Sequence, residues 1–391
     1  MIKQNILDCM TLVGGTPSRF EGEKTYVSTG AVDCDHVDYA QTERVTYDTR
    51  PSRANLSVAE GDILFAKMYG TKKTLRIDRP LSEHLYSTGF CAVRANESLM
   101  DSALLYHLLA SDQFLTQKDQ NSSGATQKAI TNAGLRKIVI QVPDSSEQRK
   151  LATNLDCIEQ MMAKRREQLV SFDQLVKSRF IELFGDPVDN DRAWPTETLN
   201  NVCSTIVDCP HSTPSYTSDN TGYMCIRTSI VKKNHIMWDE IEYIPEQEYY
   251  QRIQRKRPER GDVIYTREGA ILGIAAMIDR ECNVALGQRS MLLSPNTYKC
   301  LPQFLSAAMN FDSFLRKALG GVSGSASPHI NVGDIKAFAI ILPPIELQEQ
   351  FAAFVEQTDK SKYYSSLSFG YCQAAANTYR QEWMTCRTSD F

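Results

Sequence analysis

The longest regular pattern of apolar and polar positions lies between residues 144 and 186. Apolar side chains recur there at alternating steps of four and three residues, interrupted only by Arg165 and Arg179. They are Leu151, Leu155, Ile158, Met162, Leu169, Phe172, Val176 and Leu183. This spacing predicts a helix that packs along one stripe against a second helix. Since no Gly or Pro interrupts it, roughly 40 residues would form a rod of about 60 Å at about 1.5 Å per residue.

The sequence on both sides of this central helix repeats at a separation of 200 residues. GDILFAK at 61–67 aligns with GDVIYTR at 261–267, and LRKIVIQVPDSSEQRKLA at 135–152 aligns with IKAFAIILPPIELQEQFA at 335–352. A register held over roughly 90 residues indicates two copies of a whole domain, and not a solenoid of small units.

Each copy predicts a mixture of strands and helices. The predicted strands are 26–31 and 62–67 in the first copy and 224–229 and 262–266 in the second. Helical spacing covers 104–115 and 302–319, and turns rich in small residues follow at 122–126 and 320–327. A short helix or turn and then an apolar strand, ending at Pro143 or Pro343, complete each copy.

A second helix after Pro343 is the natural partner of the central helix. Leu347, Phe351, Phe354 and Thr358 have the spacing of a packing stripe. The predicted fold is therefore α+β, with two tandem mixed domains separated by long helices that form an antiparallel two-helix coiled coil with pseudo-twofold symmetry. The predicted boundaries are 1–143, 144–188, 189–343 and 344–391. The alternative that the pattern leaves open is a long core helix within one large domain.

The residues after Lys362 depart from this pattern. Leu367, Gly370 and the threonine-rich end do not continue the apolar stripe. We expect the distal helix to be short or irregular there, which would leave part of the central helix unpaired or covered by another chain.

Composition limits the classes of function. The chain has 391 residues, 42% of them hydrophobic, which suits an ordinary globular protein with two cores. A formal net charge of -4 excludes a globally basic protein, so any nucleic-acid surface must be local. Eleven Cys without metal or redox spacing predict reduced, mostly buried thiols and a cytoplasmic protein. No apolar run is long enough to span a bilayer, and no membrane partner is expected.

Enzyme motifs are not evident in the sequence. A self-contained DNA-modifying enzyme would need a cofactor-binding glycine-rich turn and a catalytic loop, and ILPPIE at 341–346 has Leu and Ile where such a loop needs polar and aromatic residues. There is no P-loop, and a surface loop explains Glu21, Glu23 and Lys24. We therefore predict no catalytic and no metal-binding residue, His211 included, because no complementary Cys and His pair follows it.

Several stretches together resemble a known family. They are PSRANLSVAEGDILFAKM at 51–68, QVPDSSEQRKLA at 141–152, KRREQLVSFDQLVKSRFIELFGDP at 164–187, DCPHSTP at 208–214, GDVIYTREG at 261–269 and ILPPIELQEQFA at 341–352. Their order and spacing are similar to those of the specificity subunit of a type I restriction-modification system. The resemblance extends over nearly the whole chain, up to about Lys362.

The resemblance implies a non-catalytic protein that binds double-stranded DNA. Two target recognition domains would each read one half of a split, asymmetric site, while the helices fix the gap and dock methyltransferase subunits. The implied partners are two modification subunits, which bring S-adenosylmethionine and methylate adenine, and restriction subunits, which use ATP and magnesium. This chain itself would bind no cofactor. The departure after Lys362 puts the second methyltransferase contact in doubt.

Candidate DNA contacts are basic and polar side chains near the repeated strands. In the first domain they are Arg50, Arg53, Lys67, Lys72, Lys73, Arg76, Thr126, Gln127 and Lys128. In the second they are His211, Ser212, Arg227, Lys232, Lys233, Arg252, Arg255, Lys256, Arg257, Arg267 and Arg289. Gly61, Asp62, Gly261 and Asp262 are predicted to form turns. The alternative for each candidate is a solvated surface charge.

A coiled-coil adaptor without DNA readout is the other open class. It accounts for the helices but not for two large domains with divergent, cation-rich loops. Salt dependence distinguishes the two, because phosphate contacts weaken steeply as salt rises and a hydrophobic helix contact does not.

Overall fold

The computed structural model of the chain describes residues 2–125, 127–269, 271–320 and 329–384, the last four of these by backbone alone. Two compact units result. The first comprises Met1–Glu167 and Ser366–Phe391, and the second comprises Gln168–Ser365. Each unit holds one domain and about half of each long helix. Thr126 and nearly all of the predicted turn at 320–327 lie outside the described residues.

The first unit contains two four-stranded sheets. One is antiparallel, in the order Met10–Val13, Phe90–Ala95, Ile63–Ala66, Thr74–Arg76. The other has the order Glu43–Val45, Lys24–Val27, Leu85–Ser87, Ala54–Leu56, and its two central strands run parallel. Antiparallel pairs join Ile2–Asn5 to Val139–Val142, Ser122–Ser123 to Ala129–Ile130 and Val32–Asp33 to His36–Val37. The helices are Ile6–Cys9, Tyr39–Gln41 (3-10), Arg79–Ser82, Ser102–Leu109, Asp112–Gln120 and Asn132–Leu135.

The second unit repeats this frame. Its antiparallel sheet has the order Cys203–Asp208, Ser290–Pro295, Val263–Thr266, Ala275–Met277. The partly parallel sheet has three strands, Glu242–Tyr243, Met224–Ile226 and Val284–Leu286, and further pairs join Thr196–Thr198 to Ala339–Ile341 and Val231–Lys232 to His235–Ile236. The helices are Leu199–Val202, Thr228–Ile230 (3-10), Trp238–Glu240 (3-10), Glu246–Arg252, Pro302–Met309, Asp312–Leu319 and Val332–Lys336.

Backbone hydrogen bonds confirm the register of the repeat. The amide of Lys67 donates to Gly89 O, and Lys67 O accepts from the Ile130 amide, and the residues numbered 200 higher make the same two bonds. The predicted turn formers behave alike too, since the buried carboxylates of Asp62 and Asp262 each accept from the amide three residues earlier.

Each predicted helix at 104–115 and 302–319 is in fact two helices. In the first domain Ser111 separates them, because its backbone is extended and its hydroxyl accepts from the Phe114 amide as an N-cap. In the second domain the break follows Asn310, whose amide group is turned into the fold and bonds both the N–H and the C=O of Ala275.

The central helix covers Ser145–Phe184. Asp144 caps its start by accepting from the Ser146 hydroxyl and from the amides of Glu147 and Ser146, and these bonds lower the pKa of the Asp144 carboxyl. Gly185 ends it with φ +77°, a conformation that favours glycine, and its amide donates to Ile181 O.

The distal helix covers Ile345–Met384, so the expectation of a short or irregular helix is wrong. The packing stripe continues past Lys362 through Ser365, Phe369, Cys372 and Ala376, which are buried or half-buried and of which three are small or polar. Leu367 and Gly370, which suggested the break, are exposed and lie off the stripe. Glycine at an exposed helix position costs only about 1 kcal/mol.

The two long helices pack antiparallel in both units. In the first unit Arg166 lies over the Phe369 ring and Glu159 pairs with Arg380. In the second unit Lys362 pairs with Asp173, and Ser365 contacts Gln168. Within each unit the partner's number falls as the residue number rises, which is the antiparallel order that the sequence predicts.

The predicted stripe residues are buried to different degrees. Leu155, Met162, Val176 and Phe351 are buried, whereas Leu151, Ile158, Leu169, Phe172, Leu183, Leu347 and Phe354 are half-buried. The sequence pattern missed Phe180 and Phe184, which are buried against Phe304 and Phe351. They are the stripe members where the helix meets the second domain.

A buried glutamine fixes the start of each long helix. The Gln148 amide group donates to Leu99 O and Pro143 O, and its oxygen accepts from the Asp101 amide. Gln348 makes the same three bonds 200 residues later. Each helix is thereby tied to the loop before a domain helix.

Two further findings concern composition. Of the ten cysteines described, none forms a disulfide and five are buried, fewer than expected. None of the described helices combines the length and apolarity needed to cross a membrane.

Candidate nucleic-acid interface

One acidic residue, Asp208, contacts several predicted residues of the second domain. Arg267 binds the Asp208 carboxylate through two bonds, Nε to Oδ1 at 2.8 Å and Nη2 to Oδ2 at 3.0 Å. His211 Nε2 lies 3.2 Å from Oδ2, and Arg255 Nη1 donates to Asp208 O at 3.3 Å. Since Asp208 ends one strand and Arg267 follows another, the sheet itself brings these side chains together.

Buried cations position the loop at 208–214. Arg252, whose side chain is 3% exposed, binds Glu248 and donates to Ser212 O and Leu286 O. Burial raises the pKa of the Glu248 carboxyl, but the bonds from the Ser215 amide and Arg252 outweigh this and lower it. Arg252 and Arg267 are thus neutralised by carboxylates and hold the loop in place.

The exposed basic side chains of this region form a small surface, which we call the second basic surface: His211, Arg255 and Arg289. Arg289 has φ +68°, and its side chain lies against Gly269. The Gln288 amide group steadies the same surface by donating to His211 O at 2.7 Å. Arg255 and Arg289 can reach a phosphate, because their cationic heads face solvent.

The remaining predicted residues of the second domain lie elsewhere. Arg227 pairs with Glu242, Lys232 donates to Ser229 O and Lys233 pairs with Asp312. Lys256 binds Glu259 and Asp262 in a turn, and Arg257 donates to Asn283. The structure therefore concentrates only part of the predicted set.

In the first domain the loop at 66–71 and the turn before the strand Ala129–Ile130 lie side by side. Lys67, Tyr69, Gln127 and Lys128 form what we call the first basic surface. The Tyr69 amide donates to Lys128 O at 2.9 Å, Gln127 Nε2 lies 3.7 Å from Met68 Sδ, and Lys128 Nζ lies 5.6 Å from the centre of the Tyr69 ring.

Three predicted cations of the first domain are already engaged. Lys72 pairs with Asp112 at 2.6 Å, and Lys73 donates to Thr29 O at 2.8 Å. Arg76 faces the central helix, where it pairs with Asp156 and covers the Tyr106 ring. Arg76 therefore serves the packing of the domain against the helix, which the sequence did not predict.

Arg50 belongs to a second, aromatic group in the first domain. It lies 3.8 Å above the Tyr47 ring, and Arg19 lies 5.9 Å from the same ring. Lys24 lies over Phe20, which packs edge-on against Tyr47. Arg53 is exposed three residues after Arg50. Arg19 and Phe20 were not among the predicted residues, although basic and aromatic residues alternate there.

Among the described residues one cluster has the composition of a metal site, namely His107, Asp156 and Glu159. His107 is fully buried, and its two ring nitrogens face Asp156 at 2.8 Å and Glu159 at 3.4 Å. Arg76 and Arg380 already pair with these carboxylates. The arrangement fits an ion-pair cluster that joins the first domain to both helices of its unit.

Comparisons with known proteins agree with this architecture. A family model described as "Type I restriction modification DNA specificity domain" matches residues 17–170 and again 194–363. The EcoKI type I restriction enzyme specificity subunit of Escherichia coli K12 is 23% identical over 319 residues, which cover 77% of this chain and 68% of that protein. The EcoBI specificity subunit of Escherichia coli is 20% identical, over 68% of this chain and 60% of its own length.

Solved structures share the fold. The S subunit of a type I restriction-modification system from M. genitalium superposes with a TM-score of 0.55 at 13% identity, covering 99% of this chain and 96% of that one. A chain of a type I R-M system solved in a study of complex assembly and conformational transition gives 0.50 at 20% identity, covering 98% and 97%.

Proposed function

The chain belongs to the family of type I restriction modification DNA specificity domains, and we propose that each of its two family segments is a separate reader of duplex DNA. One observation carries this proposal: the same sheet frame and the same backbone hydrogen bonds at Lys67 and Arg267 occur twice, 200 residues apart, while the side chains that the loops present differ. A repeated frame explains two similar readers, and different loops explain different sequences read.

The chemistry of the two basic surfaces supports contact with DNA. Lysine and arginine heads on phosphates fix the position of a protein on a duplex, while polar and aromatic side chains contact base edges. Lys67 and Lys128 supply such cations in the first domain, and Arg255 and Arg289 supply them in the second. Because the two sets do not match, we propose that the two half-sites differ in sequence.

This chain would itself catalyse no reaction. Two modification subunits would bring S-adenosylmethionine and methylate adenine, and restriction subunits would use ATP and magnesium. The long helices would fix the gap between the half-sites and dock the modification subunits. Val170 and Ile181 are exposed and lie about three turns apart on the same face of the central helix, which suits such a contact.

Methylation mapping tests this function. The chain is co-expressed with the modification subunit encoded beside it, and methylated bases are mapped across the host genome by single-molecule sequencing. We expect a split motif, with two short defined blocks around a fixed unspecified gap. The control is the modification subunit expressed alone. A complex that assembles but methylates no such motif would favour a coiled-coil adaptor and overturn the proposal.

A further inference from the structure

One loop of the first domain presents an aromatic ring on a rigid support. This tyrosine loop comprises residues 67–71, and Tyr69 at its tip is 56% exposed. Gly70 has φ +68°, which allows the chain to reverse, and the Thr71 amide donates to Met68 O to close the turn. Many proteins carry an exposed tyrosine on a flexible loop. This loop differs because side chains beneath it hold its backbone in place.

The support is the buried ammonium of Lys118, on the helix Asp112–Gln120. Lys118 is 1% exposed, and its Nζ donates to Met68 O at 2.6 Å, Thr71 O at 2.9 Å and Ala66 O at 3.3 Å. A buried charge is costly unless its hydrogen-bonding capacity is filled, and here three donors meet three carbonyl oxygens. Burial lowers the pKa of Lys118.

A second anchor is the neighbouring carboxylate. Asp119 Oδ2 accepts from the Gly70 amide at 3.0 Å, while the Tyr69 amide is bonded to Lys128 O. Both sides of the turn are therefore fixed before any ligand arrives. A loop that is already ordered loses little conformational entropy on binding, which favours affinity and a defined geometry.

The sheet frame that both domains share does not require the buried ammonium of Lys118. The residue 200 positions after Lys118 is Ala318, which is buried in an apolar cluster. The second domain thus has no charge at the corresponding buried position. A costly feature found in one copy only is explained more readily by the loop that it holds than by folding of the sheet.

We propose that Tyr69 contacts a base of the half-site read by the first domain, with Lys128 and Lys67 beside it on phosphates and with Lys118 and Asp119 as positioning residues. This inference rests on the proposed function. A tyrosine offers an apolar ring for base contact and a hydroxyl for a hydrogen bond, and it has little side-chain freedom to lose. The nearby ammonium of Lys128 suits the charge of the adjoining backbone.

The test uses the full chain co-expressed with its modification subunit. Tyr69→Ala should leave assembly intact, weaken binding of the mapped duplex about 10-fold, and make one position degenerate in one half of the methylated motif. Lys118→Met should relax the same half and speed hydrogen exchange of the amides at 67–71. Tyr298→Ala is the matched control, because that tyrosine is 90% exposed on the second domain and should change nothing.

The possible results distinguish a failure of the role of Tyr69 from a failure of the proposed function. No split motif with the unaltered chain refutes the proposed function. A split motif that Tyr69→Ala leaves unchanged in both halves, at unaltered affinity, refutes only the role of the loop, as does an equal effect of Tyr298→Ala. If Lys118→Met does not fold, Asp119→Ala tests the positioning role, and its failure to relax the first-domain half would refute that role.

Discussion

Gln348 shows how a single buried side chain can secure the junction between a domain and a helix. It is fully buried, and its amide group satisfies one backbone N–H and two backbone C=O groups. Gln348→Leu would keep the side chain's size but leave those three groups without partners. We expect the free energy of unfolding to fall by about 2 to 4 kcal/mol, measured by urea denaturation of the full chain. The control is Gln350→Leu, an exposed glutamine two residues later, and an equal effect of both would contradict the argument.

Asp156 is expected to make the first unit sensitive to acid. Burial raises the pKa of its carboxyl, but hydrogen bonds from His107 and Arg76 outweigh this and lower the pKa from 3.8 to about 2. The native state therefore binds this proton less readily than the unfolded chain. The stability that results is present above pH 3.8 and is lost as the pH falls towards 2.

The expected loss of stability at low pH follows from the size of the pKa shift of Asp156. One pKa unit corresponds to about 1.4 kcal/mol, and partial exposure reduces the contribution, so we expect about 1 to 2 kcal/mol. Between pH 4 and pH 2 the unaltered chain should lose that much more stability than Asp156→Asn, measured by urea midpoints. Asp48→Asn, which removes an exposed carboxylate paired with Arg19 at 3.6 Å, should keep the acid dependence of the unaltered chain.

At the scale of elements, the distal helix depends on small side chains in its second half. Ala376 is 2% exposed within the first unit, whereas Ala375 is exposed on the next position of the same helix. Ala376→Leu would overpack the stripe and should cost about 1 to 3 kcal/mol. Ala375→Leu makes the same substitution at an exposed position and should be nearly neutral. Equal unfolding midpoints for the two variants would mean that the helix does not pack there.

The elements also show what a sequence can predict. The central helix and the strands after the Gly-Asp turns were predicted closely, because apolar periodicity and turn residues are local signals. The distal helix was not, since its stripe beyond Lys362 is built from Ser365, Phe369, Cys372 and Ala376, of which a search for large apolar residues finds only Phe369. Small residues pack well where two helices lie close, and only the partner's position reveals that they are buried.

The candidate site was predictable only in part, again because local signals do not show which residues lie close together in the fold. Arg255, Arg289 and Lys128 are exposed on the two basic surfaces, as a cation count suggests. Arg76 and Arg267, equally basic in sequence, are held by Asp156 and Asp208, which lie far away along the chain. Lys118 was missed because nothing nearby in sequence shows that its head is buried against the backbone of the loop at 66–71.

At the scale of the whole molecule, a chain of net charge -4 that binds DNA must do so through a few local cations. Each phosphate contact releases counterions, and so each adds about 0.9 to the slope of log affinity against log salt concentration. The magnitude of that slope therefore counts contacts, and it separates a DNA reader from an adaptor that is held by apolar surface.

Two single variants and their combination use this slope to test whether both domains bind. Lys128→Ala and Arg289→Ala each remove one exposed cation, from the first and second basic surfaces respectively. Each should lower the slope by about 1, and the double variant by about 2, measured by fluorescence anisotropy of the target duplex between 50 and 200 mM salt. Lys360→Ala is the control, since that cation lies on the distal helix and pairs with Glu356.

If only one single variant changes the slope, one domain alone holds phosphate through its basic surface. If neither does, the two surfaces are not the DNA contact, whereas additive losses mean that both domains engage one duplex at the same time.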